Sequence, residues 1–314
     1  MNVFVTGGGG FIGRHLIPRL LPDHNVVAHH NRGLERPLES MARTVVGEIE
    51  SMDKETILRL FSGEPFALIH LAWHSPREGR YSVAARHVAQ MAHLLEVSQG
   101  ISPCVISLGS ADEYGTREGK LAPGTASEGT LSPYGWGKKC ARELLANHSA
   151  NTGIAGFWLR PFTVYGENQR GNMLLPYAVS EARAGREACF TDGLQERDFV
   201  HVEDVVDAIL LALNRSCVGF HAVNIGWGKP VQVKRVLLEI ARQFNAEHLF
   251  KIGAIPRRPD EPMVRFADVD EAETLLHWKP KVDLDEGLRR ITTHDESRNG
   301  VSSSPAPLQK AARG

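Results

Sequence analysis

The sequence predicts an α/β chain: a doubly wound parallel sheet with a smaller C-terminal α/β lobe. Three observations predict it. Apolar runs of strand length alternate with helix-period segments through the first half. The first of those strands runs directly into a glycine-rich turn and then a helix. After Gly156 the regular alternation breaks up, and a helix-like segment after Val202 and a strand at Ala222 to Ile225 resume it.

The strand-like runs are NVFVT, NVVAHH, ALIHLAW, PCVISLGS and, past Gly156, FWLRPF. Between them lie helical segments at Gly13 to Leu21, Lys54 to Phe61, Ser82 to Gln99 and Gly135 to Ala150. Residues 1–160, with returning segments at about 199–226, are expected to build the sheet domain. Residues 161–198 and 227–292 are expected to form the smaller lobe. The tail 295–314, rich in Ser, Pro and small residues, reads as disordered.

Composition narrows the function classes. With 42% hydrophobic and 23% charged residues in 314, the chain can bury a sizeable core. A formal net charge of -1 gives no basic footprint for nucleic acid. Cys104, Cys140, Cys189 and Cys217 are widely spaced and show no metal-ligand pattern, so buried free thiols, no metal and a reducing compartment are expected. No apolar run approaches the roughly 20 residues of a membrane span. The chain opens in a strand with no charged lead, so a soluble cytoplasmic protein is expected.

In FVTGGGGFIGRHL a strand ends at Thr6, and Gly7, Gly10 and Gly13 fall in the spacing GxxGxxG as a helix begins. Glycine permits the tight turn and lets backbone amides and the positive helix end meet a pyrophosphate. Gly7, Gly10, Phe11, Ile12 and Gly13 are therefore expected to cradle a dinucleotide. Where the second strand ends, a carboxylate would hold the ribose 2'-hydroxyl of NAD. His30, Asn31 and Arg32 stand there instead. Arg32, helped by Arg36, would pair with a 2'-phosphate, so NADP(H) is favoured over NAD(H).

Tyr134 and Lys138 in SPYGWGKK are four apart on an expected helix, hence on one face. The ammonium would lower the phenol pKa toward neutrality, as a general acid/base needs. Ser110 lies at the carboxyl end of an expected strand, where doubly wound sheets place their ligands, and its hydroxyl could hold a substrate oxygen beside Tyr134.

With these motifs, TGGGGFIG, HLAW, Ser110 four before Tyr114 and YGWGK, the chain resembles the extended short-chain dehydrogenase/reductase family. This is the group of nucleotide-sugar epimerases, dehydratases and reductases built on a Rossmann-type sheet. RPFTVYGENQ, NMLLPY, TDGLQERDFVHVEDV, NIGWGKPV and RRPDEP extend the resemblance over residues 1–292. The resemblance implies Ser110, Tyr134 and Lys138 as the catalytic triad, with Glu48 and Ile49 beside the adenine. It implies Leu71, Ala72 and Trp73 along the cofactor, and Pro161 and Phe162 near the nicotinamide. It places Asn172, Arg197 and Arg258 on the substrate diphosphate, and Ser110 on the sugar. It further implies a homodimer through a four-helix bundle. The apolar residues Val88, Met91, Leu94 and Leu95 exceed what one face of the sheet needs.

The departures from the family pattern rank the activities. The missing acid and the local GSADEYG most resemble the reductases of GDP-4-keto-6-deoxy sugars. The leading expectation is thus an NADPH-dependent reductase of a nucleotide-linked 4-keto sugar, with Tyr134 as proton donor. The alternative is an NAD-dependent nucleotide-sugar 4-epimerase. A 4,6-dehydratase ranks third, because Ala111 and Asp112 stand where that group carries Asp and Glu. A cofactor-binding protein without catalysis is the reading from another class.

Overall fold

The computed structural model describes residues 1–31, 42–73 and 79–294. Arg32, Arg36 and the tail 295–314, on which three expectations rest, lie outside the described residues.

The first strand, β1 (Asn2–Thr6), is a run whose side chains from Val3 onward are buried on both faces, as a central parallel strand requires. It is followed by α1 (Phe11–Leu20), β2 (Asn25–His30) and β3 (Arg43–Val46). Next come α2 (Lys54–Leu60), capped by Asp53 accepting from the Thr56 amide at 2.7 Å, and β4 (Phe66–His70). Then follow α3 (Tyr81–Ser98), β5 (Cys104–Leu108) and the short β6 (Gly119–Leu121). Helix α4 (Pro133–Thr152) starts at a Ser132 cap with proline at its first position and stops at Gly153, whose φ of 74° suits glycine. Strand β7 (Ala155–Pro161) is buried throughout.

The second half runs β8 (Thr163–Tyr165), α5 (Leu174–Arg183), β9 (Ala188–Phe190), β10 (Glu196–Arg197) and β11 (Phe199–His201). It continues with α6 (Val202–Leu213), β12 (Gly219–Ile225), β13 (Val231–Gln232) and α7 (Val233–Gln243). It closes with β14 (Phe250–Ile252), β15 (Val264–Ala267), α8 (Asp270–Leu276) and α9 (Leu284–Thr293).

A seven-stranded parallel sheet has the order β12-β7-β5-β4-β1-β2-β3. The sheet is therefore the doubly wound one the sequence predicts. One face packs Leu16 and Leu20 of α1, Ile209 of α6 and Leu276 of α8. The other packs Ile57, Met91, Leu94, Leu95 and Leu145 from α2, α3 and α4. That second layer corrects one inference. Met91, Leu94 and Leu95 are buried on the sheet of a single chain, so they are no surplus calling for a partner.

A separate core gathers Leu175, Phe190, Val236, Ile240, Phe250 and Ile291. Beside it lies a four-stranded sheet of order β13-β10-β15-β6. Two placements differ from the expected boundaries. Strand β6, early in the chain, joins this sheet through β15, whereas Ala272, Leu276 and Trp278 pack with the large sheet's core. The cysteines are free and half-buried rather than buried. Among the described residues no helix is long and apolar enough to cross a membrane.

Candidate active site

The glycine turn leaves β1 and enters α1 over the carboxyl edge of the sheet. Gly7 has φ +73°, and a Cβ on it would lie 2.6 Å from the Ala72 amide nitrogen. A Cβ on Gly13 would lie 2.4 Å from the Gly8 carbonyl. Both positions need glycine, one for conformation and close approach, the other for helix-to-turn packing. Beneath the turn, Thr6 and His70 are register partners on β1 and β4, joined by a 2.7 Å bond between Oγ1 and Nδ1. Burial, then the charge of Lys138, holds His70 down to about 3, so this link is made by a neutral ring.

Two clefts open above this edge and share Gly7, Gly10, Leu71 and Trp73 in their walls. The larger, about 710 Å³, adds Ala72, His30, Asn31, Glu48 and Ile49. The second, about 430 Å³, is walled by Phe11, Ile12, Gly13, Ser110, Tyr134, Lys138, Pro161, Phe162 and Arg197, among others. Their sizes suit a dinucleotide and a second ligand. Every described residue expected on the cofactor lines one cleft or both. In the larger cleft Arg86 bridges Glu48 at 3.0 Å and Glu50 at 2.8 Å, and Arg14 and Arg80 share the wall.

Ser110 caps the 3-10 turn Ala111–Tyr114, its Oγ accepting from the Asp112 amide at 3.2 Å. Glu113 returns the bond by accepting from the Ser110 amide at 2.8 Å. The same carboxylate is anchored in β7, accepting from Trp158 Nε1 at 2.9 Å and Arg160 Nη2 at 3.0 Å. Ser110 is thus fixed by residues the sequence reading did not single out.

Ser110 shares the wall of the second cleft with Tyr134, which lies in the first turn of α4. Lys138, one turn further on, donates to the Leu108 carbonyl at 2.8 Å. Its Nζ lies 5.8 Å from the Tyr134 ring centroid. Burial and the charge of Asp112 push the phenol above its ordinary value, against the nearby Ser110, which lowers it. Burial pulls the Lys138 ammonium down to about 7. The expected lowering of the Tyr134 phenol by Lys138 is therefore not what the site shows, since burial and Asp112 raise it. The desolvation that brings the two groups together penalises both charges.

The structure separates the three residues expected on a diphosphate. Arg197 lines the second cleft and pairs with Glu261 at 2.7 Å. Asn172 and Arg258 are exposed and line neither cleft, whereas their neighbours Arg170 and Met173 do. A buried arginine of this wall is Arg265, paired with Asp112 at 3.0 Å and donating to the carbonyls of Ala111 and Gly115. Sequence spacing gave no sign of Arg265, which reaches the cleft through strand register.

A cradle for a pyrophosphate, a Ser–Tyr–Lys set at its edge and paired arginines beyond can bind a dinucleotide and move a proton at a second ligand. Comparison with known proteins agrees. The uncharacterized UDP-glucose epimerase YtcB of Bacillus subtilis is 28% identical over 312 residues, covering 92% of this chain and 96% of that one. A putative UDP-glucose 4-epimerase of Methanocaldococcus jannaschii is also 28% identical, covering 95% and 99%. The structure of MoeE5 in complex with UDP-glucose and NAD superposes with a TM-score of 0.84 at 29% identity, covering 96% of this chain and 100% of that one. The profile of the NAD dependent epimerase/dehydratase family matches residues 3–226. The chain is an enzyme, and it belongs to the NAD dependent epimerase/dehydratase family.

Proposed function

We propose that this chain is an NAD-dependent 4-epimerase of a nucleoside-diphosphate hexose. The observation that carries the reading is the convergence of Ser110, Tyr134 and Lys138 in the wall of one cleft, with Lys138 Nζ 5.8 Å from the Tyr134 ring centroid. The relatives named as UDP-glucose epimerases, and the neighbour holding UDP-glucose with NAD, support epimerisation over the 4-keto reductase the sequence favoured.

The residues present fit a dinucleotide, since Gly7 and Gly13 allow the close approach of turn, neighbouring strand and helix that sets the Gly7 and Gly10 backbone in the walls of both clefts. Gly7, Gly10 and the start of α1 would hold its pyrophosphate, and Glu48 and Ile49 would lie at its adenine. Bound there, a nicotinamide supplies hydride acceptance and return, so that no cofactor is consumed overall. Tyr134 takes the proton of the sugar C4 hydroxyl and later returns it, and Ser110 donates a hydrogen bond to the same oxygen. A positive Lys138 favours the phenolate that this transfer passes through. Arg197 and Arg265 hold the diphosphate, and Pro161 and Phe162 keep water from the reacting carbon.

The test is to incubate the purified protein with UDP-glucose and no added cofactor, following UDP-galactose by anion exchange. Interconversion supports the reading. Stoichiometric consumption of NADPH with a 4-keto sugar, and no interconversion, overturns it. A second cofactor reading has its own observation: β2 ends in His30, followed by Asn31, without a carboxylate, and Arg14 and Arg80 line the same cleft. Fluorescence titration with NADH and NADPH decides between them, since a 2'-phosphate site binds NADPH more tightly.

The proposal includes a homodimer through α3 and α4, whose outer faces expose Tyr81, edge-on to Trp136, together with Ala85 and Ala89. Sedimentation at micromolar concentration tests it, with a monomer counting against it. Four unpaired cysteines fit a reducing cytoplasm.

A further inference from the structure

Trp73 ends the stretch HLAW and stands in the wall of both clefts. Its ring is stacked on His87 with centroids 4.8 Å apart and lies edge-on to Tyr134 at 6.3 Å. Gly137 leaves room for it, since a Cβ there would come within 3.2 Å of the indole and 3.0 Å of the Ala84 methyl. With α3 on one side and α4 on another, the indole is fixed in place. Lys138 Nζ sits 3.8 Å from the centroid of that ring.

We propose that Trp73 is a positioning residue of the active site, whose ring face keeps the Lys138 ammonium charged and directed along the Leu108 carbonyl beside Tyr134.

Lys138 is 5% exposed, and the Leu108 carbonyl accepts one of the three protons of its ammonium. A ring face offers negative potential to a desolvated cation without bringing another titratable group into the site. The other groups facing Lys138 do less. Glu113, on the turn, is engaged by Arg160, Trp158 and the Ser110 amide. His70 on β4 is kept neutral, His87 on α3 is turned to the far face of the indole and to Gln90, and Tyr134 is itself protonated. Asp112 is bound to Arg265. With Lys138 brought down to about 7 by burial, a tenfold change in its proton affinity switches its charge at neutral pH.

The proposal rests on Lys138 serving the Tyr134 site, but its test needs neither sugar nor cofactor. The full chain is labelled with a small amine-specific acylating reagent over a series of pH values, and the Lys138 peptide is quantified by mass spectrometry. In Trp73→Leu the midpoint for Lys138 is expected to fall by about one pH unit, with Trp73→Phe between it and the wild type. The midpoint of the exposed Lys281 should stay put. A purely structural role for Trp73 would change the labelling rate and leave the midpoint. An unchanged midpoint overturns the proposal. Should Trp73→Leu melt early, incorporation of fluorinated tryptophan, which weakens the ring face while preserving its shape, gives the same reading. No shift there overturns the proposal equally.

Discussion

Arg197 and Arg265 are register partners on the parallel strands β10 and β15, and both guanidiniums line the cleft that holds Ser110 and Tyr134. Two like charges side by side are unfavourable. Burial, Glu261 and the neighbouring Arg265 all act on Arg197, and the balance lowers its pKa. Each is tied to one carboxylate, Glu261 or Asp112, and together they suit a ligand with two negative charges.

Arg265→Ala is therefore expected to lower kcat/KM for a nucleotide sugar by about ten- to a hundredfold, from roughly 1.5–3 kcal/mol of charge-assisted bonding. Arg265→Lys should recover little of it, because an ammonium cannot serve Asp112 and two carbonyls in one plane. Steady-state kinetics on the two variants checks this. Full activity in either would remove Arg265 from the site.

Asp112 raises the Tyr134 phenol, second only to burial. Replacing it with Asn removes a negative charge, favours the phenolate and lowers that pKa. The acid limb of the kcat/KM profile of Asp112→Asn should consequently lie at lower pH than in the wild type. An acid limb that stays in place, or moves to higher pH, would show that Asp112 does not act on Tyr134.

What was legible in the sequence was what local chemistry encodes. The run from β1 through the glycines to α1 is read from spacing alone, and Tyr134 and Lys138 from their four-residue interval. Arg265 was not legible, because it reaches Asp112 from 153 residues away through β15. Nor was the engagement of Glu113 with Arg160, 47 residues apart. The directions in which Tyr134 and Lys138 shift were missed for another reason: helical spacing specifies neighbours but not desolvation, and burial dominates both. Met91, Leu94 and Leu95 misled in the same way, since an apolar count does not say which of two faces is already covered. Edge strand β3 escaped notice because it is short and half-exposed.

The Glu113–Arg160 pair, at 3% and 2% side-chain exposure, ties the Ser110 turn to the sheet. Glu113→Gln leaves a buried guanidinium without its counter-ion, and removing one partner of such a pair costs about 3–5 kcal/mol. Urea denaturation should show that loss. A second change, Arg160→Met, in the same chain should return part of it. A cost within measurement error in Glu113→Gln would mean that water or Tyr114 compensates the charge.

His70 makes stability depend on pH. Its pKa is lowered from the ordinary 6.5 to about 3 in the folded chain, by burial first and by the charge of Lys138 second. The unfolded chain therefore binds a proton more readily than the folded one between those two values. Stability from this group is complete above about 6.5 and is lost as pH falls toward 3. His70→Asn, which can still meet Thr6, has no such proton to take up. Unfolding free energies from urea at neutral pH and at successively lower values should fall less steeply in His70→Asn than in the wild type. The two slopes should converge below the folded-state value. Parallel lines throughout would show that His70 takes up its proton equally in both states, so that its folded-state pKa is not lowered.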